Sequence, residues 1–456
     1  MNRHTLVAHF GARDKARLAS RWKDANITNI ECIDLLGELD HGLGESLRRL
    51  ADLGLQPKES AIDLSILAAL VFGADTRIPR ETEAQDGWTR EIELNIPVDD
   101  VTLWNSAKST LERALKFLTG DLWYLAFRPR PKQCSPFAPT VQTNLRQFSC
   151  VALFSGGLDS YIGAVDLLSR GETPLFVSHY LSHTSMNQKV CLEHLKGRFP
   201  DTSAEFFRAR VGFTTEMIPT LANEPGYKGE RTERSRSFLF FSLAALAASC
   251  LGKAVSMYLP ENGLIALNVP LDRLRVGALS TRTTHPFFVA RFNELVRILG
   301  IKATFVNPYR FKTKGEMARE CEDADFIERT AKDTISCSSP GKGRWHGESP
   351  GHCGHCMPCL IRRAALLAAF GKDETPYRLS KLRGKLNSKE ATGEHIRSFQ
   401  IALEKLKSSP RYASIAVGIP GPLTDCPGEI PGLVAVYERG MHEVEELIKK
   451  VKTAPL

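Results

Sequence analysis

The stretch that most constrains this chain lies at 151–160. Val151, Ala152, Leu153 and Phe154 form a short apolar run, the pattern of a buried parallel strand. It ends in Ser155, Gly156, Gly157, Leu158, Asp159 and Ser160. Ile162, Val165, Asp166 and Leu168 then recur at helical spacing, so the turn opens a helix. Strand, glycine turn and helix N-terminus together make an anion site. The glycines let the backbone curl and bare its N–H groups, Ser155 and Ser160 add hydroxyls, and the helix dipole favours negative charge. The Walker lysine pattern and the three-glycine dinucleotide fingerprint are both absent. What remains is the pyrophosphate loop of enzymes that split ATP into AMP and pyrophosphate.

Around this loop, 456 residues suffice for two or three domains. The net charge of +8 suits an anionic nucleotide. The basic residues are scattered, which gives nucleic acid no support as a partner. The charged N-terminus lacks the apolar core of an export signal, and the longest apolar stretch, 237–252, is too short to span a bilayer. Eleven cysteines then read as reduced thiols, and the expected location is the cytoplasm, away from any membrane.

Residues 1–128 read as an α+β accessory or partner-docking domain. It has a core helix over 61–72, a half-buried strand near a sheet edge at 92–98, a helix over 103–118 stopped by Gly120, and a strand at 122–127. A proline-rich linker follows at 129–146. Over 147–370 strands alternate with helices, which predicts a doubly wound α/β domain with ligands at the carboxyl ends of its strands. Three strand-end loops are the candidates there: Arg234 and Arg236 within 231–236; Glu261, Asn262 and Gly263; and Arg282, Thr283, Thr284 and His285 within 280–286. Lys314 opens another helix. Residues 371–456 read as a helical extension, with Glu443, Glu445, Glu446, Lys449 and Lys450 forming a solvated face.

A second strong signal is Cys337, Cys353, Cys356 and Cys359. Two overlapping two-residue spacings plus an upstream thiol suit tetrahedral zinc, and four thiolates fill its shell, so the site is structural. His346, His352 and His355 compete as ligands, and an iron–sulfur cluster competes as the occupant.

The loop, the cysteine knuckle at 337–359 and the following Leu360, Ile361, Arg362 and Arg363 resemble the QueC family of 7-cyano-7-deazaguanine synthases over roughly 150–370. The resemblance implies an adenine nucleotide alpha-hydrolase-like fold. It also implies ATP- and Mg²⁺-dependent activation of 7-carboxy-7-deazaguanine as an acyl-adenylate, with Zn²⁺ in the knuckle. Ser155, Gly156, Gly157, Leu158, Asp159, Ser160, Arg236 and Lys314 would hold ATP. Arg234, Glu261, Asn262, Gly263, Arg282, Thr283, Thr284 and His285 would hold the substrate, with Asp159, Arg236, Glu261 and Arg282 catalytic. Asp159 or Glu261 would take the Mg²⁺. The chain is about twice the family's length and has a fifteen-residue insertion at 338–352. In this it is similar to the long QueC-like branch of anti-phage operons, QatC and the CBASS-associated proteins. That branch implies an operon-encoded protein amine as acceptor, and a homodimer is compatible with it. The alternatives are nitrile synthesis with ammonia, a tRNA-thiolating relative, and a nucleotide sensor without catalysis.

Overall fold

The first 130 residues, expected as α+β, build a wholly parallel sheet instead. Its strands are β1 (Arg3–His9), β2 (Asn26–Glu31), β3 (Glu91–Val98) and β4 (Leu122–Pro129), in the order β2-β1-β3-β4. Helices α1 (Leu43–Asp52), α2 (Glu59–Arg77), α3 (Arg80–Glu83) and α4 (Val101–Thr119) connect them. In this computed structural model the described residues are all but 1, 12, 15, 17–19, 142–146, 181–184, 231, 272–281, 383 and 456. The strand at 92–98 was expected near an edge but lies between β1 and β4 and is buried. Pro97 is tolerated there because pairing with β1 ends at Asn95, so no bond on that side needs its missing N–H. Asp100 caps α4 by accepting from Leu103 N–H, and Gly120 ends it at a left-handed φ of 79°.

The second sheet carries the glycine turn at 155–157. Strands β5 (Cys150–Leu153), β6 (Pro174–His179), β7 (Glu205–Ala209), β8 (Val255–Tyr258) and β9 (Ala303–Val306) run parallel in the order β7-β6-β5-β8-β9. The chain winds one way from β5 and then the other, so a crevice opens beyond the ends of β5 and β8. Helices α5 (Leu158–Ser169), α6 (Ser185–Arg198), α7 (Pro219–Ala222), α8 (Arg236–Ser249), α9 (Gly263–Leu267), α10 (Pro286–Ile298), α11 (Lys314–Arg319), α12 (Ala324–Thr330) and α13 (Met357–Phe370) complete this part. The tail adds β10 (Lys385–Asn387), α14 (Ala391–Ser408), α15 (Tyr412–Ala416), α16 (Ile430–Ile448) and β11 (Lys452–Ala454), with β10 and β11 paired in parallel.

One hydrophobic core runs through both sheets. Leu94 and Leu67 belong to it, as do Phe238, Val151 and Phe207. Helix α8 is apolar on nearly every side because α2 covers one face and the second sheet the other. Position 128 is therefore a change of sheet, not a break in the core. The proline-rich segment is tied to α2 through Arg130, which is buried and pairs with Glu59 and Asp63; its end, 142–146, lies outside the described residues. Buried charges tie the halves together as well. Arg90 reaches Asp75 at 2.7 Å and Asp121 at 2.6 Å, and Asp75 Oδ2 accepts from Ser235 N–H and Oγ at the start of α8.

The tail forms its own core with α13 and α9. One side of α16, expected to be solvated, turns Glu443 inward, where it accepts from the Thr313 hydroxyl. Burial raises that carboxyl. Glu445 pairs with Lys407, and Glu446 with Lys449. Among the described residues no helix is long and apolar enough to cross a membrane.

Candidate functional site

The phosphate loop turns as its glycines require. Gly156 has φ +79°, and a Cβ there would come within 2.9 Å of Gln188. Ser160 staples the turn: its hydroxyl donates to Gly157 O at 3.0 Å and accepts from Ser155 N–H at 3.2 Å. Its hydroxyl is thus engaged within the turn, although the residue also lines the cavity. Ser155 stays exposed. Gly157 is the N-cap of α5 and offers no side chain, and Leu158 N–H reaches only the Ser336 hydroxyl, at 3.4 Å. The helix start is thus left short of side-chain acceptors, the condition for binding an anion.

Asp159 corrects a second expectation. It is buried, with Lys314 Nζ at 2.8 Å from Oδ1 and Asn262 Nδ2 donating to Oδ2 at 2.7 Å. Asn262 meanwhile caps α9 through its oxygen. The two carboxyls are pushed apart: against its burial Lys314 lowers Asp159, while burial and the Asp159 charge push Glu261 well above the usual carboxyl range. Asp159 and Lys314 together hold the loop to α11. Glu261 is the carboxyl of the pair that lines the cavity.

That cavity has a volume of about 710 Å³ and lies in the crevice beyond β5 and β8. Ser155, Ser160, Arg236, Glu261, Thr283 and Thr284 line it, so much of the anticipated site does converge. Other residues turn away. Arg234 is buried, donates to Thr119 O at 2.7 Å and stacks on Trp88, drawn into the acidic cluster behind α8. Arg282 donates to Phe117 O and lies over that ring. His285 caps α10 by accepting from Phe287 N–H, and burial beside Arg282 pushes its pKa down to about 3. Gly263 is a packing position, since a Cβ there would meet Arg310 O at 2.2 Å. Arg231, Ser280 and Thr281 lie outside the described residues.

The four cysteines do come together, with every pair of sulfurs within 4.8 Å. Cys337 and Cys356 are 3.9 Å apart, as are Cys353 and Cys359. Tetrahedral zinc with bonds of about 2.3 Å would separate its sulfurs by about 3.8 Å, so this set could hold such an ion. The neighbouring histidines have other partners, although His355 also faces the Cys353 sulfur. His352 Nε2 accepts from Ser336 N–H at 3.1 Å, and His355 Nδ1 lies 2.9 Å from Ala391 O. The side chain of His346 lies outside what the structure describes.

No protein-family model matches the chain, and no curated protein does.

The cluster is joined to the loop. Cys337 itself lines the cavity, Ile335 N–H donates to Gly156 O at 3.0 Å, and the fully buried Arg362 donates to Thr334, Ser336 and Ala331 O. Sequence reasoning did not assign His179, Glu233, Phe240 and Lys342, which also line the cavity. Strand ends could have flagged His179, at the last position of β6. Lys342 sits in the insertion at 338–352, no residue of which had been assigned to the site.

Proposed function

We propose that the chain is a QueC-like, AMP-forming C–N ligase that activates 7-carboxy-7-deazaguanine with ATP and passes it to an amine of a partner protein in anti-phage defence. The observation that carries the reading is a single cavity walled on one side by the phosphate loop and on the other by a segment hung from a four-thiol cluster. Each motif alone occurs widely; the two facing each other are what the resemblance implies.

The residues divide the work by position. The α5 N-terminus and Ser155 receive the phosphate chain, with Arg236 and Lys342 supplying positive charge at the cavity wall. Lys314 cannot do this, because its charge is committed to Asp159. Mg²⁺, whose usual chemistry is to neutralise phosphate oxygens, would be held by Glu261, the carboxyl of the pair that lines the cavity, which would release its proton to the metal's charge. The substrate carboxylate oxygen bonds to the α-phosphorus as pyrophosphate leaves. The amine nitrogen then bonds to the acyl carbon as AMP leaves with the bonding pair, and the amine sheds its proton to water.

The test is pyrophosphate release with ATP, Mg²⁺ and 7-carboxy-7-deazaguanine, followed by intact-mass measurement of the operon's other proteins. One added deazaguanine acyl group on a partner amine is expected. Free nitrile with every partner unmodified would leave the ammonia-using synthase. Absence of pyrophosphate release would leave a nucleotide sensor.

A further inference from the structure

A sheet edge left bare offers its backbone groups to any strand it meets, so folds guard their edges. The two large sheets have four edges, and three are guarded. On β4 the Leu125 N–H donates to Glu112 at 2.9 Å, and Pro129 has no N–H to offer. On β9 Asn293 takes both groups of Phe305, accepting from its N–H at 2.8 Å and donating to its O at 3.1 Å. On β7 helix α1 packs against the strand, and Arg49 donates to Arg208 O. Strand β2 is the exception. Cys32 N–H, just past its end, donates to His9 O, so the even-numbered residues of β2 face β1. Backbone direction alternates along a strand, which turns the N–H and C=O groups of Ile27, Asn29 and Glu31 outward. His41 Nε2 meets Glu31 O at 2.9 Å, but among the described residues nothing bonds the outward groups of Ile27 and Asn29. Residues 26–31 contain no lysine, arginine or proline, and Ile27 is 50% exposed.

The charges at the two ends of β2 select what pairs with it. Lys23, exposed and in no ion pair among the described residues, stands four residues before Ile27. Glu31, also exposed, stands four residues after it; its Oε1 accepts from Gly11 N–H, which leaves Oε2 open. A strand laid on antiparallel, with the same sequence and centred on Ile27, sets each lysine toward the other's glutamate. A parallel one aligns like ends. The same centring brings the two Ile27 side chains together, lets their backbones exchange both hydrogen bonds, and places Asn29 opposite Ala25. From the bare edge and its charge pattern we infer that β2 is an interface between two copies of this chain. They pair antiparallel about a two-fold axis at Ile27 and join their four-stranded sheets into one. The inference does not rest on the proposed chemistry.

The test is sedimentation equilibrium of the zinc-loaded full chain over a range of concentrations. Six residues of edge bury less than a tight interface does, so a monomer–dimer equilibrium is expected with a dissociation constant of roughly 1–100 µM. Ile27→Lys sets two like charges at the axis, and Ile27→Pro removes an outward N–H while sparing the bonds to β1. Each should weaken association at least about tenfold, with Ile27→Lys keeping the wild-type urea midpoint. Glu31→Lys should weaken association about fivefold, and Lys23→Glu/Glu31→Lys, which exchanges the charges, should return to within about threefold of wild type. A wild type that stays monomeric at about 200 µM overturns the inference and leaves the edge to an extended segment of another protein. A dimer that Ile27→Lys leaves unchanged overturns it too, because the copies then meet elsewhere. A charge exchange that associates no better than Glu31→Lys overturns the pairing centred on Ile27.

Discussion

Removing the Asp159 carboxylate tests the buried charge arrangement beneath the loop. Asp159→Ala deletes the partner 2.8 Å from Lys314 Nζ and the acceptor of the 2.7 Å bond from Asn262. A buried ammonium left without any counter-charge would cost about 3–5 kcal/mol. Glu261 stands in reserve, because the charge on Asp159 helps to keep its proton on. With Asp159 gone, Glu261 ionises and faces Lys314 itself. The single variant should then lose only the Asn262 bond and some geometry, about 1.5–3 kcal/mol. In Asp159→Ala/Glu261→Gln no carboxylate remains and the full 3–5 kcal/mol should appear. Glu261→Gln alone should cost nothing at pH 7, so the cycle shows a coupling of at least about 1–2 kcal/mol. Urea denaturation at pH 7, with the slope checked for constancy, measures all four proteins. The reasoning is refuted if Asp159→Ala alone costs as much as the double variant. It is equally refuted if the single variant costs nothing, because Asp159 would then be a free ligand of nucleotide or metal.

Other expectations follow from the same structure. A carboxyl whose folded pKa is raised carries an extra proton in the native state, so its contribution to stability falls as pH rises from the ordinary carboxyl value toward the folded one. The stability of Glu261→Gln relative to wild type should therefore climb with pH over that window, and a flat difference would show that Glu261 is not raised. Purified protein should be colourless with about one zinc per chain, and Cys356→Ser should lose the metal by elemental analysis; a brown protein absorbing near 400 nm would favour the tRNA-thiolating alternative. Arg90→Ala leaves Asp75 and Asp121 in the core with Arg80 as their remaining counter-charge and should cost about 1.5–3 kcal/mol in urea unfolding. A chain lacking residues 1–128 should be insoluble or molten by near-ultraviolet circular dichroism, since it bares the α2-facing side of α8.

What the sequence by itself determined is whatever depends on near neighbours in the chain. The strand–glycine–helix order at 151–160 needs only short-range backbone geometry, and the structure has it. Cys353, Cys356 and Cys359 lie within seven residues, and Cys337 joins them across the insertion. The helices over 61–72 and 103–118 carry their own apolar periods and lie within α2 and α4, and the apolar stretch that begins at 237 forms most of α8. The tertiary structure decided what depends on distant partners. Asp159 looked like a ligand until Lys314 and Asn262, more than a hundred residues away, neutralised it. Arg234 and Arg282 looked like substrate residues, but Thr119 O and Phe117 O on α4 claim their guanidiniums. The first sheet read as α+β because periodicity shows which face of a strand is buried, not whether its neighbour runs parallel. The shared core across position 128 escaped notice for a related reason. A proline-rich segment signals a turn in the chain, whereas the apolar faces of α2 and α8 alone settle what packs on either side of it.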